Sequence, residues 1–353
     1  MLDQPQFAVF YSVIVGVSDA CSLFFIYTVI TQSSADMKLY KYVLLKLAIS
    51  DLLFNLSITL LVAPDLLCPL TAVAIRSPIA TLSEDISFAM IAITTVLSVF
   101  VFTSINDCCF IRVCIFYQWN VFLRKLFSWR GIAFMFTANG MAAGLLIFTM
   151  WFARGTNAEF LSLVNTKNMT QHLGSYAQEP DTVYFFVNVY NPKIVPLFLS
   201  IASGITIIHT LNLFGSRLVW KGLRNRRKNM SFRSFSSHRQ LTMLVLGQNI
   251  IPAIVLSIPV VMVTISFLLF NRTDTFAEVV KHFITVIICM YPVFSVILSF
   301  IFIQPYKKFL ISIFCSFSFS LRRKRVQSRV SDVRMMSRKM SVGNESFDRV
   351  GYI

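Results

Sequence analysis

The 353-residue chain is 56% hydrophobic and 14% charged, where a soluble domain carries roughly 25% charged residues, and this excludes an ordinary water-soluble enzyme. A mean hydropathy of +0.69, with 35 Phe against 12 Gly and 11 Pro, equally excludes a disordered or linker-rich chain. The net charge of +16 does not imply nucleic acid, because the basic residues sit in blocks between long apolar runs rather than on one exposed face.

Crossing a bilayer core takes about 20 apolar residues in helix. Seven runs of that size occur: Ala8 to Ile30, Tyr42 to Pro64, Ile86 to Ile111, Gly131 to Phe152, Ile194 to Gly215, Leu241 to Phe270 and Phe283 to Ile303. They predict an all-α membrane protein, a seven-transmembrane helix bundle over residues 8–303, with a short N-terminal segment 1–7 and a basic tail 304–353. The first run has no Lys or Arg before it and no small-residue cleavage site after it, so it reads as a retained span. No internal repeat is visible.

Cytoplasmic loops collect Lys and Arg. The loops after spans one, three and five, with the tail, hold 25 basic and 4 acidic residues, whereas the N-terminus and the remaining loops hold 6 basic and 9 acidic. The N-terminus is therefore expected outside and the tail in the cytoplasm. Of seven cysteines only Cys68 falls near the outer face, so no extracellular disulfide is expected within one chain. No zinc spacing, glycine-rich phosphate loop or GxSxG elbow occurs. No enzyme activity, cofactor or metal is expected.

Ionisable groups in hydrocarbon are costly unless they are paired or face a cavity, and the spans hold four: Asp19, Lys46, Asp51 and Asp107. Lys46 and Asp107 each lie four residues inside the inner ends of spans two and three, at about 6 Å depth by helical rise. They either pair, or Lys46 snorkels to the interface while Asp107 bonds water. Asp51 and Asp19 lie at mid-bilayer, a level that Asn249 on span six and Ser295 on span seven also reach. A polar cluster of Asp19, Asp51, Asn249 and Ser295 is thus geometrically open, either as neutral helix-to-helix bonds or as a cation site. Pro252, Pro259 and Pro292 each remove a backbone hydrogen bond from spans six and seven, as hinges or as ordinary membrane prolines.

The loop from Arg217 to Arg239 carries eight basic residues and no acid, which suits the inner lipid surface. After span seven, Gln304 to Leu321 alternates aromatics with serines, as a helix lying in the interface would; Cys315 on it is a palmitoylation candidate. Of the sequons at Asn55, Asn168, Asn229, Asn271 and Asn344, only Asn168 and Asn271 fall in outer loops and can meet the glycosylation machinery.

Leu47-Ala48-Ile49-Ser50-Asp51 in span two resembles the LAxxD signature of rhodopsin-like receptors. A closer resemblance is carried by Lys38-Leu39-Tyr40-Lys41-Tyr42-Val43-Leu44-Leu45, Met230-Ser231, His238-Arg239-Gln240-Leu241, Gln248-Asn249-Ile250-Ile251-Pro252, Pro259, Tyr291-Pro292 and Tyr306-Lys307-Lys308. In order and spacing over nearly the whole chain, these are similar to the nematode serpentine chemoreceptors of the Str superfamily. The resemblance implies a G protein-coupled receptor that binds a small environmental molecule and signals through a heterotrimeric G protein, in the plasma membrane of sensory-neuron cilia. It implies switch roles for Arg112, Pro252, Tyr291 and Pro292. The chain departs from the rhodopsin pattern: Phe110-Ile111-Arg112-Val113 replaces Asp-Arg-Tyr, Tyr291-Pro292 replaces Asn-Pro, and the second outer loop has no cysteine. The ligand is expected in the outer half of the bundle among spans three, five, six and seven, under the loop with Tyr184, Phe185, Phe186 and Tyr190. The alternative is an ion channel or transporter using Asp19, Asp51 and Asp107 as its path, against which stands the lack of an inverted repeat.

Overall fold

The computed structural model describes residues 4–33, 38–67, 72–75, 83–166, 183–187, 192–227, 230–269 and 274–313 together with Cys315; the side chains from 256 to 282 lie outside that description. The helices are α1 (Gln4–Gln32), α2 (Lys38–Ser57), α3 (Glu84–Phe116), α4 (Asn120–Leu126), α5 (Trp129–Ala153), α6 (Asn157–Thr166), α7 (Ile194–Arg226), α8 (Phe232–Leu269) and α9 (Asp274–Phe302). Seven of them cover the seven apolar runs; α4 and α6 are short helices within loops. Among the described residues five, those of α1, α2, α3, α5 and α7, are long and apolar enough by length and composition to cross a membrane. The α8 and α9 helices run on unbroken through Pro252, Pro259 and Pro292.

The long helices close a ring. The α1 helix packs on α2 and α9, α2 on α3, α3 on α5 and α7, α7 on α8, and α8 on α9. Large apolar side chains such as Phe134, Met141, Phe148 and Phe198 are exposed on its outer surface, the inverse of a soluble fold and the arrangement lipid stabilises. On α5 the buried residues are Ala143, Thr149 and Ala153; small side chains let membrane helices approach closely where no hydrophobic force drives them together.

Local chemistry sets the helix ends. Ser83 accepts from the Ile86 amide at 3.2 Å to cap α3, whose first turn carries Glu84 and Asp85 against the positive end of the helix dipole. Ser128 caps α5 through the Gly131 amide at 3.3 Å. The turn from α4 into α5 is so tight that a Cβ on Gly131 would lie 2.3 Å from the Leu126 carbonyl. Lys41 donates to the Ile30 carbonyl at 2.7 Å, satisfying one of the free acceptors at the C-terminal end of α1. The α2 helix finishes in a π-helical turn, Ile58–Val62, and Ala63 leaves it with φ of 43°.

At the end of the bundle opposite α4, the loops form a sheet that the sequence reading treats as loop. Strands β1 (Pro64–Leu67), β2 (Ala72–Ile75), β3 (Arg154–Gly155) and β4 (Val183–Val187) are ordered β1-β2-β4-β3, all antiparallel, with Ala72 opposite Phe186 and Arg154 opposite Val187. Side chains alternate across β4. Tyr184 and Phe186 pack on Phe160 and Val164 of α6, while Phe185 packs toward Val62, Met90 and Ile91 of the bundle.

The chain divides into two compact units, Met1–Ile303 and Gln304–Ile353. The second begins with α10 (Gln304–Ile313), on which Lys307 and Lys308 are exposed. Cys315 is exposed as well.

Candidate functional site

Arg112 sits one turn from the end of α3 and is 4% exposed. Its Nη2 donates to His238 Nδ1 at 2.6 Å and to the His238 carbonyl at 2.8 Å, so one guanidinium nitrogen ties α3 to the first turns of α8. Accepting that bond requires a lone pair on Nδ1, hence the neutral imidazole with its proton on Nε2. Burial, and then the neighbouring Arg112 charge, push His238 down to about 4, in keeping with that neutral form. The Phe116 ring stands edge-on to the imidazole at 5.6 Å, and Val113, Phe116, Val219 and Leu223 with Met230 and Phe235 form an apolar cluster around the contact. A glycine makes this packing possible: a Cβ on Gly222 would meet the Phe116 ring at 2.3 Å.

Lys46 and Asp107 are brought together. Lys46 Nζ donates to Asp107 Oδ2 at 2.5 Å, with the side chains 23% and 16% exposed, and the ammonium also lies 5.9 Å from the centre of the Phe136 ring. The matched depths of these residues are joined here by matched rotational phase.

The mid-bilayer residues do not form one cluster. Asp51 faces the Ser295 hydroxyl, with its Oδ1 unpartnered, and Tyr291 lies within electrostatic reach of it. Asp19 accepts from Asn55 Nδ2 at 2.6 Å. Asn249 is corrected out of the expected group: its Oδ1 meets His209 Nδ1 at 2.7 Å and Asn212 Nδ2 at 3.2 Å, both on α7. The depth of Asn249 matches Asp51, but its side chain points to the other neighbour of α8. The three acids of the channel reading thus have separate partners, Asn55, Ser295 and Lys46. Pro252 and Pro292 are buried in their helices.

His238, His209, Asn212 and Asn55 take part in these contacts without being among the residues that depth and motif single out. His238 opens the His238-Arg239-Gln240-Leu241 stretch, and His209 and Asn212 interrupt an apolar run at helical spacing, which is a usable signal. Asn55 stands out in the sequence only as a sequon; it is 1% exposed.

At the sheet end, Tyr184, Phe185 and Phe186 stand on β4 rather than in an irregular loop. Phe185 lies 6.4 Å from Phe88, which is edge-on to Trp151 at 5.0 Å. Arg154 stacks on Trp151 at 4.0 Å and reaches Asp85 at 3.2 Å, fastening the sheet to α3 and α5. Tyr190, Cys68, Asn168 and Asn271 lie outside the described residues, as do the side chains from 256 to 282, on α8, α9 and the segment between them, which the expected ligand site includes. Among the described residues no group of three or more His, Cys, Asp or Glu could hold a metal ion, and the six described cysteines are free.

No curated protein matches the chain. A family model does: the serpentine type 7TM GPCR chemoreceptor Srd, over residues 7–312. The match names the Srd family and does not reach the Str superfamily that the motifs resemble. It comprises multi-pass membrane chemoreceptors and is not an enzyme family. The chain belongs to the Srd family of serpentine seven-transmembrane chemoreceptors.

Proposed function

We propose that this chain is an olfactory-type receptor that binds a small environmental molecule at the sheet end of the bundle and activates a heterotrimeric G protein at the α4 end. The observation that carries this reading is the bond from the buried Arg112 to the half-buried His238. It joins the end of α3 to the start of α8, beside the basic stretch from Arg217 to Arg239, and moving α8 away from α3 breaks it. Separating α3 from α8 opens a cleft lined by Arg112 and flanked by basic residues, a surface suited to a partner of opposite charge. Pro252, Tyr291 and Pro292 would be the places where α8 and α9 bend, since each proline leaves a carbonyl without its helical donor.

In this proposal the sheet end is extracellular and the tail cytoplasmic, as the 25 to 6 partition of basic residues supports. Asn168 and Asn271 then carry glycans, Cys315 is open to palmitoylation, and the receptor resides in the plasma membrane of a sensory cilium. The test is expression in heterologous cells challenged with a panel of odorants, with and without functional G proteins. A response that requires the G protein supports the reading; a response accompanied by ion current that survives loss of every G protein overturns it. Glycosidase shifts on Asn→Gln variants give the orientation, and a glycan on Asn344 would invert it.

A further inference from the structure

A cavity of about 360 Å³ lies among α2, α3, α5 and the turn from α4 into α5. Val43, Ile111, Met135 and Phe136 supply its walls. Tyr42, Ile132 and Phe136 on its rim are 55%, 40% and 53% exposed, on helices whose outer surfaces meet lipid. Leu126 and Phe127 line it at the loop end. The volume falls at the small end of ligand sites, enough for the head and first part of one chain rather than a two-tailed lipid. The lining is apolar but for one pair, and Tyr42, Ile132 and Phe136 stand on the outward helix surfaces beside it, which leaves it open to an occupant entering sideways from the bilayer.

One polar feature breaks the apolar lining: the Lys46–Asp107 pair. Both side chains keep some exposed surface, 23% and 16%. The ammonium carries three N–H donors, one of them used on Asp107 Oδ2, and the carboxylate has accepting positions beyond the one that Lys46 takes. Taken together the pair is neutral. An anionic head would be set against Asp107 and a cationic one against Lys46, in a setting where like charges repel strongly. A group that both donates and accepts satisfies both partners at once.

We propose that this cavity binds an uncharged, single-tailed amphiphile from the adjoining leaflet, its hydroxyl bridging Lys46 and Asp107 and its chain lying along Met135 and Phe136. The site is separate from the Arg112 contact and does not depend on which end of the bundle faces the cytoplasm. A bound chain links α2, α3 and α5, so its occupancy stabilises the bundle by mass action.

The experiment uses the full chain in nanodiscs with a photoreactive hexadecanol analogue as probe. Crosslinks are expected on the peptides that contain Val43 to Lys46 and Ile132 to Phe136. Unlabelled hexadecanol should compete at a concentration about tenfold lower than hexadecane, hexadecanoate or hexadecylamine, equivalent to about 1.4 kcal/mol. Met135→Trp fills the cavity and should remove most of the labelling. The paired change Lys46→Met with Asp107→Leu should erase the preference for hexadecanol over hexadecane; if that variant does not fold, Met135→Trp and the competition series still decide. Labelling equally strong on the lipid-facing Phe198 and Leu199 of α7, labelling unchanged in Met135→Trp, or acid or amine competing as well as the alcohol would each overturn the proposal.

Discussion

At one end of the bundle, strands from two loops exchange backbone hydrogen bonds above α2, α3 and α5; at the other, one guanidinium holds α8 to α3 through two bonds to a single histidine. The sheet end is a ladder of many equivalent bonds, with Phe160 of α6 stacked on Tyr184 and tilted against Phe186, and losing one rung leaves the rest in place. At the α4 end the helices are joined by separate side-chain bonds, among them Arg112–His238, Lys46–Asp107, Lys41 to the Ile30 carbonyl and Tyr117 to the Leu218 carbonyl. Elements held by few, specific contacts can occupy two arrangements, while a cooperative ladder resists both. In the proposed mechanism this difference makes the sheet end the frame and α8 the moving part.

The largest expected effect is on signalling. Arg112→Ala should remove odorant-evoked G protein activation while leaving surface expression largely intact, because in the proposed mechanism the arginine serves both the closed contact and the opened cleft. His238→Ala removes only the closed contact and should raise ligand-independent signalling. Both are read in the same heterologous assay, and wild-type behaviour in both variants would break the contrast between frame and moving part.

Next comes the frame. Phe160 is fully buried and lies 4.6 Å from Tyr184 and 5.5 Å from Phe186. Phe160→Ala should cost about 3 kcal/mol locally, seen by hydrogen exchange as faster opening of β2 and β4 with the α4 end unchanged. Equal acceleration in α3 and α8 would show that the two ends are one cooperative unit.

The Lys46–Asp107 pair should contribute somewhat less. Removing one member of a fully enclosed pair costs about 3 to 5 kcal/mol, and partial exposure should bring Lys46→Met or Asp107→Leu to roughly 2 kcal/mol by the same principle. The double variant should recover part of the loss in thermal-shift measurements. Additive single effects without recovery would mean the two residues are not coupled.

The smallest effect is that of pH. His238 has its value lowered to about 4 from an ordinary 6.5, so the closed contact favours the neutral ring. An opened state in which the ring regains its ordinary value binds more protons between those limits. The closed arrangement is therefore fully favoured above about pH 6.5 and loses ground as pH falls toward 4. The distance between labels at the exposed Phe122 and Phe232 should lengthen on average from pH 7.5 to 5.5, and the change should vanish in His238→Ala. A pH response that persists in that variant would assign the titration elsewhere.

Seven apolar runs, the partition of charge between their flanks and the depth of each polar residue along its helix are all one-dimensional quantities, and the amino-acid sequence determines them. The same holds for local capping signals: Thr156 and Glu159 exchange bonds at 3.2 and 3.3 Å at the start of α6, a Thr-x-x-Glu box that can be read directly. Tertiary structure decided which way each side chain turns about its helix. Asn249 and Asp51 share a depth, yet one meets His209 and the other Ser295, because azimuth depends on how neighbouring helices pack. The sheet likewise required tertiary structure: Ala72 and Phe186 are distant in sequence, and their pairing forms only once α2, α3 and α5 have brought the two loops to the same end of the bundle.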